Sequence, residues 1–341
     1  MGAAEHGVTA VAHPNIALVK YWGKRDEDLI IPRADSLSMT LDIFPTTTTV
    51  VLDPAGQADT VTLNGAAAPD DMARRVATFL GLVRQLAQRD EHAVVDTRNT
   101  VPTGAGLASS ASGMAALALA ASRAYGLDLD ATSLSRLARR GSGSASRSIF
   151  GGFAVWHAGH GTGAEADVSS YAEPLTDVAL DPALVIALVD TGPKAVSSRE
   201  AMRRTVATSP LYPAWVAAST TDLAAMRTAL ACGDFDTVGE IAERNALGMH
   251  ATMLAARPAV RYFSGGTLAL LDLVVQLRRD GIPAYATMDA GPNVKVLCRS
   301  SDSGRVANAA QVAVPGIRVL TARCGPGARI GDTRLNPEVA Q

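Results

Sequence analysis

The stretch Pro102-Thr103-Gly104-Ala105-Gly106-Leu107-Ala108-Ser109-Ser110-Ala111 has the makings of an anion cradle. Ala93-Val94-Val95 upstream reads as a strand. Ser112-Gly113-Met114 with the Ala/Leu run 115–121 reads as a buried helix, so the order is strand, loop, helix. The first turn of a helix presents unpaired N–H groups and the positive end of its dipole, and small side chains let an anion approach the backbone. Ser109 and Ser110 add hydroxyls for phosphate oxygens or a metal ion. No Gly-Lys-Ser/Thr follows, and the pattern is not Gly-x-Gly-x-x-Gly after a strand. The stretch is therefore a third kind of phosphate cradle, or else a loop whose glycines only permit tight packing.

Four further clusters carry chemistry. His13-Pro14-Asn15-Ile16-Ala17-Leu18-Val19-Lys20-Tyr21-Trp22-Gly23-Lys24-Arg25-Asp26 places two lysines four apart around Tyr21 and Trp22, with Gly23 open to close backbone approach. That combination suits a multiply charged anion; the competing reading is a solvated charged turn. Gly141-Ser142-Gly143-Ser144-Ala145-Ser146-Arg147-Ser148 can converge N–H groups on an anion, and Arg147 can pair a carboxylate bidentately. A flexible linker competes, but the segment lies between two apolar elements. Thr287-Met288-Asp289-Ala290-Gly291-Pro292-Asn293 joins two strand-like runs and makes Asp289 either a catalytic carboxylate or a turn-former. Lys194 to Met202 offers Ser197 and Ser198 as helix caps or substrate contacts. No His-x-x-x-His pair suggests a metal site, and no Gly-x-Ser-x-Gly elbow suggests a hydrolase.

The elements that must position these groups are mixed. Strand-like segments are Val8–Ala12, Thr46–Leu52, Val61–Leu63, Val94–Thr97, Gly152–His157, Val185–Asp190, Ile282–Met288, Asn293–Cys298 and Ile317–Leu320. Helical periodicity runs over 71–89, 112–125, 131–140, 213–231, 235–256 and 265–280, with Asp130 capping the third and Gly281 stopping the last. Helices and strands do not alternate strictly, which favours α+β over a doubly wound parallel sheet. A composition shift near Asp177–Pro182 predicts a boundary between domains 1–180 and 181–325, with 326–341 as a tail, and the chain after Arg323 is expected to fray.

The 341 residues, 48% of them hydrophobic, can build real cores. A net charge of −2 without a basic stripe disfavours nucleic acid. Cys232, Cys298 and Cys324 lack metal or redox spacing, and Cys298 reads as a buried thiol. The N-terminus has no secretory pattern and the apolar runs are too short to span a membrane, so a soluble cytoplasmic protein is expected.

Taken in order, the phosphate loop and the four clusters resemble the GHMP family of small-molecule kinases, from about Ala12 to Leu297. Pro-x-x-x-Gly-Leu-x-Ser-Ser-Ala indicates only the broad family. The runs Asn15 to Asp26, Gly141 to Arg147 and Met288 to Lys295 are much more specific, and point to a branch acting on mevalonate diphosphate. The resemblance implies a two-lobed α+β enzyme with its active site between the lobes. It implies ATP-dependent conversion of mevalonate diphosphate to isopentenyl diphosphate with magnesium, in a homodimer. Asp289 would orient or deprotonate the tertiary hydroxyl, Arg147 would hold the substrate carboxylate, and Lys20 would neutralise charge at the transferring phosphoryl group. Asn15 would place Arg147 and substrate. Tyr21, Trp22, Gly23, Lys24, Arg75 and Ser142, Gly143, Ser144, Ala145, Ser146 with Arg147 would hold the diphosphate. Ser198, with Ser197 and Arg199 beside it, would contact substrate. Pro102 and Gly104 to Ala111 would cradle ATP, with Ser110 near the metal. The rivals are a decarboxylase of mevalonate monophosphate, a mevalonate kinase, or a non-catalytic ligand-binding member.

Overall fold

β1 (Val8–Ala12) and β2 (Asn15–Val19) begin a strand-rich first half, followed by β3 (Lys24–Asp26), β4 (Ile31–Pro32), β5 (Ser36–Thr40), β6 (Thr46–Asp53), β7 (Thr60–Leu63) and β8 (Ala66–Ala67). Then come α1 (Asp70–Ala87), β9 (His92–Asn99), α2 (Ser109–Ala124), α3 (Ala131–Gly141), a 3-10 turn over Gly143–Ile149, β10 (Phe153–Trp156), α4 (Gly163–Ser169) and β11 (Ala172–Leu175). The second half runs β12 (Pro182–Leu188), α5 (Ser198–Thr208), α6 (Tyr212–Cys232), α7 (Phe235–Leu254), α8 (Gly265–Arg279), β13 (Ala284–Met288), β14 (Val294–Arg299), α9 (Ser303–Ala313), β15 (Arg318–Arg323) and β16 (Arg329–Ile330). This computed structural model describes residues 7–100, 109–192 and 194–331. The mixed α+β architecture is as expected.

The threonine run of β6 lies inside the first sheet, ordered β16-β1-β6-β9-β7-β8. Its alternation buries Thr46, Thr48 and Val50 on one face. The buried hydroxyls find partners: Thr46 with Ser112 at 2.7 Å and Thr48 with Thr97 at 2.9 Å. Against that face packs α2, whose residues from Met114 to Ala121 are all buried; its small side chains let the helix sit close to the strands. Asp130 caps α3 by accepting from Ser133 N, and Gly281, at φ +79°, follows the end of α8.

A second sheet, β11-β10-β5-β2, and a third, β13-β14-β12-β15, share one core. Ile16 and Leu18 of β2, Leu184 and Ile186 of β12, and Ile241 of α7 belong to the same buried cluster. The halves are thus welded along β2, the strand that delivers Lys20.

Three expectations need correction. β2 and β5 were not foreseen as strands, because every residue in each is buried and the period-two signal is absent. The segment 143–149 is neither linker nor open loop but a largely buried 3-10 turn. The chain after Arg323 does not fray at once: β16 pairs antiparallel with β1, and Gly325 bonds Thr40 and Gly152. Leu41 sits within 2.0–2.2 Å of where a Cβ on Gly325 would stand, so only glycine fits that return.

Candidate active site

Lys20 follows directly on β2, and its backbone N–H donates to Asn245 Oδ1 on α7 at 2.8 Å. Asn245 is held in turn by donating to Ser219 and to Asp222 on α6. The Lys20 side chain runs inward and its Nζ donates to Asp289 Oδ1 at 2.9 Å and to the Ala17 carbonyl at 2.7 Å. Asp289 stands in the turn between β13 and β14. Its other carboxylate oxygen accepts from Lys295 Nζ at 3.0 Å, while His250 Nε2 of α7 lies 3.2 Å from its main-chain oxygen. Both ammonium-bearing side chains are 2% exposed and the carboxylate is 31% exposed, so the cations lie beneath and the acid faces the cleft.

The electrostatics follow from this stacking. Burial lowers the Lys20 ammonium to about 8, against the pull of Asp289. Burial by itself would push the Asp289 carboxyl up, but the charges and hydrogen bonds of Lys20 and Lys295 outweigh it and hold the group well below the usual carboxylate range. Burial and the nearby Lys20 charge drop His250 to about 4, so its ring is neutral.

Arg147, on the buried turn, is almost completely enclosed. Its Nε donates to Ser38 Oγ at 2.9 Å and Nη1 to Ser36 Oγ at 2.5 Å. Both Nε and Nη2 reach Asn15 Oδ1 at 3.3 and 3.2 Å, and the guanidinium lies over the Trp156 ring. Asn15 uses its own N–H groups on the Ser144 carbonyl and Ser148 Oγ. Burial lowers Arg147 to about 10, against the pull of the Asp289 charge, so the two groups lie within electrostatic reach of each other.

The flanking residues form an arc. Tyr21 meets Trp156 edge-on at 4.7 Å, and Gly143 lies against both rings, where a Cβ would come within 2.7 Å of Trp156. Ala145 is buried and Ser146 bonds the Gly143 carbonyl. Trp22 is buried, and its indole N–H has no hydrogen-bond partner among the described residues. Gly23 has φ +101° with Tyr212 Oη against its α-carbon. Lys24 pairs with Glu27 at 2.5 Å on the β3–β4 hairpin. Ser142 Oγ bridges from the turn toward Ser110 Oγ of α2 at 3.4 Å and Ser144 Oγ at 3.5 Å. Ser197 caps α5 through Glu200 N, and Ser198 Oγ accepts from Lys194 Nζ at 3.2 Å. Arg199 is close enough to Arg75 for their like charges to depress Arg75, after burial.

Ser110, Arg75, Thr48, Thr97 and Asn99 line a cavity of about 210 Å³ between α1, α2 and the first sheet. Ala111 is buried behind it, and Ser109 begins α2. Pro102, Gly104, Ala105, Gly106, Leu107 and Ala108 lie outside the described residues. Among the described residues no group of three or more His, Cys, Asp or Glu could hold a metal.

Sequence reasoning overlooked Lys295, Asn245, His250, Ser36, Ser38 and Lys194. Lys295 lay within a recognised run and needed only the turn geometry to be noticed. The serines carry no local signal, since β5 looks like neither a loop nor an alternating strand.

The model of the diphosphomevalonate decarboxylase-like N-terminal domain matches residues 12–172, and that of the mevalonate 5-diphosphate decarboxylase C-terminal domain matches 184–324. A diphosphomevalonate decarboxylase of Ganoderma lucidum is 37% identical over 312 residues, 84% of this chain and 77% of the relative. The crystal structure of mevalonate diphosphate decarboxylase from Staphylococcus aureus superposes with TM-score 0.91 at 39% identity, covering 96% of this chain and 98% of that one. A complex of MDDEF with MVAPP, AMPPCP and magnesium gives 0.89 at 46% identity, covering 96% and 99%. Both halves carry the same likeness over nearly their whole length, and the chain belongs to the diphosphomevalonate decarboxylase family.

Proposed function

We propose that this chain converts mevalonate diphosphate to isopentenyl diphosphate with ATP, releasing ADP, phosphate and carbon dioxide. The observation that carries the reading is the Lys20–Asp289–Lys295 ion-pair cluster, within electrostatic reach of the buried Arg147, in a chain whose relatives are named diphosphomevalonate decarboxylases. The tertiary hydroxyl oxygen forms a bond to the γ-phosphorus as the β–γ bridging bond breaks, its electron pair leaving with ADP. The new tertiary phosphate then departs with its bonding pair. The C–C bond to the carboxylate breaks, its electrons closing the alkene as carbon dioxide leaves.

The geometry of the described residues supports the roles proposed for Asp289, Lys20, Arg147 and Asn15. Asp289, held ionised, is a weak base; it orients the hydroxyl and takes its proton only as the O–P bond forms. Lys20 stands at the same oxygen and offers its ammonium to the charge on the transferring group. Arg147 spends its inner N–H groups on Ser38, Ser36 and Asn15, leaving outer ones for a carboxylate. A clamp tighter in the ground state than in the transition state would slow decarboxylation, so Arg147 serves to position. Asn15 acts through Arg147, because its amide is engaged within the protein. Tyr21, Trp22, Gly23, Lys24, Arg75 and the turn 142–147 surround the diphosphate, and Ser197, Ser198 and Arg199 close the other side. On the family resemblance alone, Pro102 and Gly104 to Ala111 would cradle the nucleotide phosphates.

The Ser110 and Ser142 hydroxyls fit a magnesium ion that takes phosphate oxygens and water for its remaining ligands, which is how that ion binds nucleotides. When bound it supplies charge neutralisation on the phosphates. We also read 1–180 as the ATP-binding domain, 181–325 as the C-terminal domain and 326–341 as a tail whose first residues join the first sheet. A homodimer rests on the family resemblance and a cytoplasmic location on the sequence pattern, and light scattering tests the stoichiometry.

The deciding experiment supplies ATP and magnesium with mevalonate, its monophosphate or its diphosphate in turn. Equal yields of ADP and isopentenyl diphosphate from the diphosphate alone are expected. Turnover of the monophosphate, or ADP release without loss of carbon dioxide, would replace this reading with one of its rivals.

A further inference from the structure

We infer that Lys295 is the resident counter-ion of Asp289: it keeps that carboxylate ionised and aimed, so that the Lys20 ammonium can be committed to the transferring phosphoryl group. The inference rests on the reaction proposed above.

The two lysines divide the carboxylate between them, Lys20 on Oδ1 at 2.9 Å and Lys295 on Oδ2 at 3.0 Å. Their backbones are anchored differently. Lys295 lies within β14, an inner strand, where it pairs with Ile186 on one side and Thr287 on the other. Lys20 lies just beyond β2, an edge strand whose ladder already carries an irregularity between Ala17 and Val19. The Lys295 main chain is paired on both sides, whereas that of Lys20 is held past its strand end by Asn245, so Lys295 has less freedom to follow a substrate.

Electrostatics makes the division necessary. If Lys20 alone served Asp289, turning its ammonium toward a phosphate would leave a partly enclosed carboxylate without a charged partner, which is unfavourable. With Lys295 fixed behind Oδ2, Asp289 keeps one full partner throughout. The other groups facing Asp289 do not take that place. His250 of α7 is neutral and bonds only the main-chain oxygen. Arg147 of the turn is held by serines and Asn15, and Lys194 before α5 bonds Ser198. Lys295 is thus a positioning residue, acting through Asp289.

The test compares wild type, Lys295→Met, Lys295→Gln and Lys295→Arg in ADP release from mevalonate diphosphate. Glutamine keeps a donor on a slightly shorter, uncharged side chain, and carries the test if the methionine variant does not fold. Both neutral variants should keep KM near wild type and lose about tenfold or more in kcat. Lys295→Arg restores the cation beside Asp289 and should recover most of the lost kcat, which neither neutral variant does. A rate loss that arginine does not rescue would reduce Lys295 to a structural residue and overturn the inference. Unchanged kcat would do the same while leaving the proposed reaction intact. An inactive wild type would remove both.

Discussion

Lys20 and Asp289, 269 residues apart in the chain, meet in a 2.9 Å ion pair where the two halves of the protein share a core. Neither partner is held by its own sheet alone. Asn245 of α7 fixes the backbone of Lys20, and His250 of the same helix touches the main chain of Asp289. One helix therefore holds both members of this pair, and small shifts of α7 would displace them together.

Asp289→Ala removes the hydroxyl-orienting oxygen and leaves the diphosphate arc untouched. Turnover should fall by about a thousandfold or more, while mevalonate diphosphate affinity, measured by calorimetry, stays largely intact. A variant that binds normally and turns over within about tenfold of wild type would take Asp289 out of the reaction.

Lys20 makes the alkaline side of the activity profile. Its ammonium is present below about 8 and lost above it, so kcat/KM should fall as pH rises through that value. Lys20→Arg retains charge at every accessible pH and should push this limb beyond the measured range. Stability runs the other way: the unfolded chain keeps this proton up to the ordinary 10.5, so between about 8 and 10.5 this group makes folding more favourable as pH rises. Finding the alkaline limb unmoved in Lys20→Arg would assign it to another residue.

The candidate residues legible in the sequence sit in short runs, Asn15 to Asp26, Gly141 to Arg147 and Met288 to Lys295, and from these the structure joins Lys20 to Asp289 and Asn15 to Arg147. Elements with a period showed equally well, such as β6, whose alternating threonines turn one face to α2. Hidden from such reading were β2 and β5, uniformly buried and therefore without alternation, although they carry Asn15, Ser36 and Ser38 around Arg147. Asn245 and His250 were equally silent. Each is a single polar residue on a long helix, and only the fold shows that it faces Lys20 or Asp289.

Asn15→Ala tests whether Arg147 needs its second-side support. The substitution removes an acceptor from two guanidinium nitrogens and strands the Ser144 carbonyl. A loss of about 1–3 kcal/mol in unfolding free energy is expected, together with a raised KM. Wild-type KM in a destabilised protein would show that the serines alone place Arg147.

Gly23→Ala attacks the diphosphate arc through the backbone. A Cβ there would stand 1.9 Å from Tyr212 Oη, at a φ of +101° that side chains rarely adopt. Tyr212 cannot yield freely, because its hydroxyl donates to the Trp22 carbonyl at 2.7 Å. We expect a stability loss of about 1–3 kcal/mol and a KM for mevalonate diphosphate raised more than that for ATP. Pairing it with Tyr212→Phe should recover part of the stability; no recovery would place the strain elsewhere.

His250 supplies a pH signature of its own. The unfolded chain binds a proton at this residue near the ordinary 6.5, the folded protein only near 4. Between those values the unfolded state holds more protons, so stability is complete above 6.5 and drains away as pH falls, at up to about 1.4 kcal/mol per unit. His250→Gln keeps a donor for the Asp289 carbonyl and removes the titration. Urea unfolding at pH 7 and pH 5 should show wild type losing up to about 2 kcal/mol more than the variant over that interval. Equal losses would mean that the ring accepts its proton without opening the contact with Asp289.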